Sequence, residues 1–129
     1  MNRTIALSAA VLGFSAVALG ALGAHALPKT LDAHWLDVWK TAALYHALHA
    51  IALLALAAWR TEDRLVRHVA KCWVAGVAVF SGSLYALVLS MASEAIPDAK
   101  WLGAITPVGG VLLMAGWALA GAAAWRARG

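Results

Sequence analysis

Four apolar stretches without a single charged residue divide the chain, at residues 4–24, 41–59, 72–93 and 106–125. Read as helices at about 1.5 Å per residue, each reaches across a hydrocarbon core of about 30 Å. The first, Thr4 to Ala24, follows Asn2 and Arg3. Its Ala24-His25-Ala26 exit also suits a signal peptide, but the run exceeds the usual h-region of about 7–15 residues, so a retained membrane helix is expected. Ala16, Gly20 and Ala24 recur every fourth residue and form a smooth ridge for a neighbouring helix. Gly116, Ala120 and Ala124 do the same in the fourth stretch.

The polar connections carry their own pattern. In Leu27 to Lys40, Leu27, Leu31, Trp35 and Val38 fall on one helical face, Pro28 suits a first turn, and His34 faces water. With Trp35 and Trp39 this predicts a short interfacial helix lying on the membrane surface between spans 1 and 2. Arg60 to Lys71 read as a compact charged loop that holds no proline or glycine, which predicts a helical continuation through it before the third span begins at Cys72. Glu94 to Lys100, with Pro97, reads as a short loop. Thr106-Pro107 suits an N-cap followed by a first helical position, which starts the fourth span there and leaves Trp101 to Ile105 as an interfacial lead-in. A continuous helix kinked at Pro107 is the alternative.

Composition agrees with this pattern. The 129 residues are 64% hydrophobic and 12% charged, against about 25% charged for soluble domains. The expected fold class is therefore all-α, a four-helix transmembrane bundle forming a single integral membrane domain of the cell inner membrane. Its first partner is the lipid bilayer. The net charge of +4 comes from short connections with no aromatic-interleaved basic patch, so no nucleic acid partner is expected. Arg3, Arg60, Arg64, Arg67, Lys71, Arg126 and Arg128 fall on one side, and Lys29, Lys40 and Lys100 on the other. The excess predicts both termini inside. A lone cysteine, Cys72, excludes an internal disulfide and a cysteine-only metal site.

Few polar groups interrupt the spans, and they gather in the outer half. His46 and His49 are three apart and share a helix face with Tyr45 nearby. His49 and Tyr85 each lie eight residues from the outer end of their spans, about 12 Å deep, with Ser81 and Ser83 a little deeper and His25 at the outer end of the first span. Phe80-Ser81 also echoes Phe14-Ser15 of the first span. In lipid such groups must satisfy one another, so a structural polar cluster that fixes which helix faces meet is the leading reading. The alternative is an apolar ligand, a quinone or lipid, held by His49 and Tyr85. A metal on His25, His46 and His49 has less chemical support, because no carboxylate or cysteine joins the set, and so has a haem, because only His25, near the surface, could oppose a second-span histidine. No acid lies within a span to carry protons. Ser81-Gly82-Ser83 lacks a nucleophile elbow's pattern, and Gly109-Gly110 has no following Lys-Ser or Lys-Thr to hold phosphate. Gly20, Gly82, Gly109 and Gly110 are instead expected at close helix contacts, with Thr106 and Pro107 at a cap. No catalytic residue, metal or cofactor is expected.

Several blocks in order carry a resemblance. Gly20-Ala21-Leu22-Gly23-Ala24-His25-Ala26-Leu27, Trp39-Lys40-Thr41-Ala42, Tyr45-His46 and His49-Ala50 are followed by Phe80-Ser81-Gly82-Ser83-Leu84-Tyr85. Gly103-Ala104-Ile105-Thr106-Pro107-Val108-Gly109-Gly110 and Gly116-Trp117 complete the set. The chain resembles the YgdD/YwdK-like family of small bacterial inner-membrane proteins, which has a mitochondrial relative. The resemblance covers nearly the whole chain. It implies a multi-pass protein of the cytoplasmic membrane whose motif positions include His25, Tyr45, His46, His49, Ser81, Ser83, Tyr85, Thr106 and Pro107, and it brings no catalytic residue. The expectation is a non-enzymatic small subunit, an assembly partner or a homo-oligomeric membrane component.

Overall fold

The computed structural model describes residues 1–59, 63–93 and 99–127. Arg60, Glu62, Arg128 and most of the loop expected at Glu94 to Lys100 lie outside the described residues. Helix α1 runs Arg3–His25, α2 Ala33–Ala58, α3 Leu65–Ser93 and α4 Trp101–Arg126. All four are long and apolar enough to cross a membrane, and no strand occurs among the described residues.

Local chemistry explains the helix limits. The Asn2 side chain caps α1 by accepting from the Ile5 amide. The Asn2 amide in turn donates to the Ala57 carbonyl at 2.8 Å, tying the start of α1 to the end of α2. Asp32 caps α2 by accepting from the Trp35 amide at 3.1 Å. With no glycine or proline from Ala33 to Ala58, the helix then runs unbroken for 26 residues.

That cap corrects the expected surface helix. Leu27–Lys29 makes one tight 3-10 turn with Pro28 in it, and Asp32 starts a new helix. Ala33 to Lys40 forms the first turns of α2 itself. The reach of α2, roughly 39 Å, exceeds a hydrocarbon core, so these turns stand at its margin with their tryptophans. The fourth helix is corrected as well. It begins at Trp101 and carries Pro107 inside it, so Thr106 is not its cap. Proline has no amide to give to the Gly103 carbonyl. Thr106 instead turns its hydroxyl to the Leu102 carbonyl at 3.3 Å. The third helix begins at Leu65, so the part of the charged connection from Leu65 to Lys71 is helical and precedes the apolar span.

The four helices are not equivalent. Over the most apolar window of each, 39% of α2 and 44% of α3 is buried, against 17% of α1 and 22% of α4. α2 and α3 form the central pair, α1 leans mainly on α2, and α4 leans mainly on α3. Two apolar clusters fill the interior. One lies at the end bearing both termini, where Trp73 and Val69 meet Ile5, Leu53 and Leu113. The other lies at the opposite end, where Trp39 meets Leu27, Tyr85 and Val88.

Glycines let the two large tryptophans in. A Cβ on Gly23 would run into the Trp39 ring, and one on Gly116 into the Trp73 ring. Gly109 lies against the backbone of Phe80, which cannot give way, while a Cβ on Gly110 would meet only the Phe80 ring at 3.8 Å. Gly20 and Gly82 correct the expectation of close contacts there, since a Cβ on either would meet nothing within 4 Å. Periodicity marks a smooth ridge but not the side of the helix that a neighbour takes. Gly109→Ala is therefore expected to force α3 and α4 apart at a cost of roughly 1–3 kcal/mol, while Gly110→Ala and Gly20→Ala stay within about 0.5 kcal/mol of the parent. Thermal melts in one detergent would compare the three, and equal melting temperatures would refute the close approach.

Candidate functional site

Between the two tryptophan clusters lies a belt of polar groups, and α2 supplies its hub. His46 is buried, with its Nδ1 3.3 Å from the Tyr85 hydroxyl and its Nε2 3.2 Å from Ser15 Oγ. Ser15 already gives its hydroxyl proton to the Val11 carbonyl at 2.9 Å. It therefore accepts from His46 Nε2–H, which leaves Nδ1 to accept from Tyr85. One unbroken series of hydrogen bonds thus runs from α3 through α2 to the backbone of α1.

His49, also buried, takes the opposite tautomer. Its Nδ1–H donates to the Tyr45 carbonyl at 2.8 Å, and its Nε2 accepts from the Trp117 indole at 3.1 Å. Trp73 and Trp117 lie edge-on to the His49 ring, with centroids 6.0 and 6.1 Å away. Both nitrogens of each interior imidazole are engaged. The Trp73 indole N–H finds no acceptor among the described residues.

The serines extend the belt. Ser81 donates to the Ala42 carbonyl of α2 at 2.8 Å. The Ser83 and Thr106 hydroxyls meet at 2.7 Å and link α3 to α4 just before Pro107. At the end away from the termini Trp39 donates its indole proton to the Leu19 carbonyl of α1 at 2.8 Å. Gly23 leaves the space that lets this ring lie down.

The belt is two sites, not one cluster. His46, Tyr85 and Ser15 join α1, α2 and α3, while His49, Trp117 and Trp73 join α2, α3 and α4. Equal depth had paired His49 with Tyr85, but Tyr85 bonds to His46. Depth along an axis does not fix rotation about it, and three residues turn a helix side chain by roughly 60° from its neighbour's direction. Tyr45 is 39% exposed and covers Phe80, with ring centroids 4.8 Å apart. His25 is exposed at the end of α1 and does not join the others. Among the described residues no three His, Cys, Asp or Glu side chains converge as metal ligands, so the donors for the metal and haem alternatives do not come together. Sequence reading missed Ser15, Trp39, Trp73 and Trp117. The Phe-Ser echo between the first and third spans was the available signal for Ser15. The tryptophans were hidden because interface and core tryptophans look alike in sequence.

Four long apolar helices, their interior polar atoms turned toward one another, define a multi-pass α-helical membrane protein. The sequence matches the family described as "Protein of unknown function (DUF423)" over residues 19–110, and the chain belongs to that family. It is similar to the UPF0382 inner membrane protein YgdD of Escherichia coli (strain K12), with 40% identity over 120 residues, 92% of this chain and 86% of that one. It is also similar to the UPF0382 membrane protein SAB0533 of Staphylococcus aureus (strain bovine RF122 / ET3-1), with 42% identity over 103 residues, 79% of each chain. A UPF0382 membrane protein of Schizosaccharomyces pombe, C1782.12c, is 34% identical over 111 residues, 85% of this chain and 92% of that one. No solved structure matches the chain. The expected resemblance therefore holds.

The His49–Trp117 bond can be tested by a double-mutant cycle. His49→Leu leaves the Trp117 N–H without its acceptor in an apolar setting, and is expected to lower stability by about 0.6–1.7 kcal/mol through that bond. Adding Trp117→Phe removes the orphaned donor, so the double variant should cost less than the two single variants summed. Strict additivity of melting shifts in detergent would show that the two side chains do not interact.

Proposed function

We propose that this protein is a non-enzymatic component of the inner membrane, working as a small subunit or assembly partner of a larger membrane complex or as a homo-oligomer. The observation that carries this reading is the mutual pairing of the polar side chains of α2 and α3. Both imidazoles of α2, the Tyr85 hydroxyl and Ser81 are bound to neighbouring helices, which engages both ring nitrogens of each histidine and the proton of each hydroxyl. The outer helices instead present apolar side chains outward. Phe14 and Val17 on α1 are 80% and 74% exposed, and Val111 and Met114 on α4 are 58% and 65% exposed. Lipid satisfies such faces, and so does another membrane helix. The relatives named as inner membrane proteins support the location.

The quinone or lipid alternative finds less support. The groove that reaches His49 and Tyr45, between Phe80, Gly110, Met114 and Trp117, holds about 230 Å³. Ligand pockets usually hold about 300–1,000 Å³, and neither His49 nitrogen is free to meet a carbonyl. The basic end of the bundle, with Arg3, Arg64, Arg67, Lys71 and Arg126, supports a cytoplasmic placement of both termini.

The test is crosslinking in native membranes. In a Cys72→Ser background, Val17→Cys or Val111→Cys is expected to form intermolecular adducts, with a second copy or with a co-purifying membrane protein. Ala42→Cys, inside the bundle, is expected to form none. Strictly monomeric protein from both outer positions, with no partner by native mass spectrometry, would defeat the proposal. A carboxyl-terminal fluorescent fusion is expected to report a cytoplasmic end.

A further inference from the structure

At the end bearing both termini, α1 and α3 part to leave a groove of about 590 Å³. Asn2 and Ser8 line one wall, and Arg67, Lys71, Val74 and Ala75 line the other. Arg67 and Lys71 are one helical turn apart on the same face of α3, so their charges lie side by side. Both are exposed, and no carboxylate among the described residues pairs with either. Beyond them the α3 wall becomes apolar and small as far as Ala78. From Arg67 to Ala78 the helix rises roughly 16 Å, close to one leaflet of a hydrocarbon core about 30 Å thick. The groove therefore has two cations at the interface that pair with no carboxylate among the described residues, polar groups of α1 opposite them, and an apolar channel one leaflet deep below.

We infer that this groove is a binding site for an anionic phospholipid, with its phosphate on Arg67 and Lys71 and an acyl chain lying along Val74 and Ala75. A soluble anion would use the cations but not the apolar channel. A zwitterionic lipid would fill the channel but bring a cation of its own toward Arg67 and Lys71. Only an anionic lipid complements both halves. Basic pockets between membrane helices are a recurring way of selecting such headgroups.

The experiment uses the full chain in detergent, incubated with an equimolar mixture of phosphatidylcholine and phosphatidylglycerol and examined by native mass spectrometry. The parent protein is expected to retain phosphatidylglycerol preferentially. R67A/K71A is expected to lose that preference by about 30-fold, the combined worth of two interfacial cations. K29A/K100A, which removes two cations from the opposite end, is expected to leave the preference intact. Ala75→Phe keeps the charges but fills the channel and is expected to lose the adduct. Thermal melts would check that each variant remains folded, and added phosphatidylglycerol should raise the melting temperature of the parent but not of R67A/K71A. Equal retention of the two lipids by the parent would overturn the inference, as would an unchanged preference in R67A/K71A. Retention of the adduct by folded Ala75→Phe would reduce the effect to diffuse attraction and overturn the site. Displacement of phosphatidylglycerol by inorganic phosphate would identify a soluble-anion site instead.

Discussion

Hydrocarbon cannot hydrogen-bond, so every polar atom placed at membrane depth must find its partner inside the protein. In this chain that constraint falls chiefly on α2. Its two buried histidines point along directions roughly 60° apart, one toward α1 and α3 and the other toward α4 and α3. A helix with such demands on two sides cannot sit at the edge of the bundle. The central placement of α2 beside α3 follows, and so does the peripheral placement of α1 and α4. The opposite tautomers follow as well, because each ring is set by what its other nitrogen meets. His46 donates outward to Ser15 because that hydroxyl is already committed to its own helix. His49 accepts from Trp117 because its other nitrogen holds the Tyr45 carbonyl.

Hydrogen bonds of this kind are individually weak in membrane bundles, about 0.6 kcal/mol on average. They select orientation more than they supply stability. Cohesion comes from packing, and here large rings are matched to missing side chains. Trp73 lies over Gly116, Trp39 over Gly23, and the Phe80 backbone against Gly109. Since lipid tails are as apolar as leucine, burial by itself gives no reason for two helices to leave lipid for each other. Close van der Waals contact does, and glycine permits it. The polar belt and the glycine cradles thus divide the work, the first choosing the faces and the second holding them together.

The same division shapes what the molecule offers its surroundings. Its interior bonds are taken up in internal geometry, and two exposed features stand out among the described residues. One is the broad apolar surface of α1 and α4. The other is the basic end, where cations from several helices stand at the membrane margin beside an open groove between α1 and α3. The proposed role as a membrane component rests on these two surfaces.

Uncharged runs of about twenty residues could mean little other than membrane helices, so the architecture was legible from sequence, and the ordered blocks around Tyr45-His46 and Thr106-Pro107 placed the family. The interior polar residues were recognisable too, because imidazoles in an apolar run stand out whatever surrounds them. Helix ends were harder. Asp32 was a competent cap passed over in favour of Pro28, and Pro107 sits inside a helix that its neighbours tolerate. Partner choice was not legible at all. Spacing gives depth along a helix axis, but whether Tyr85 meets His46 or His49, and whether Gly20 or Gly23 receives a neighbour, depends on the rotation of each helix about its own axis. That rotation is set collectively by four surfaces fitting together, a property no single stretch of the chain contains.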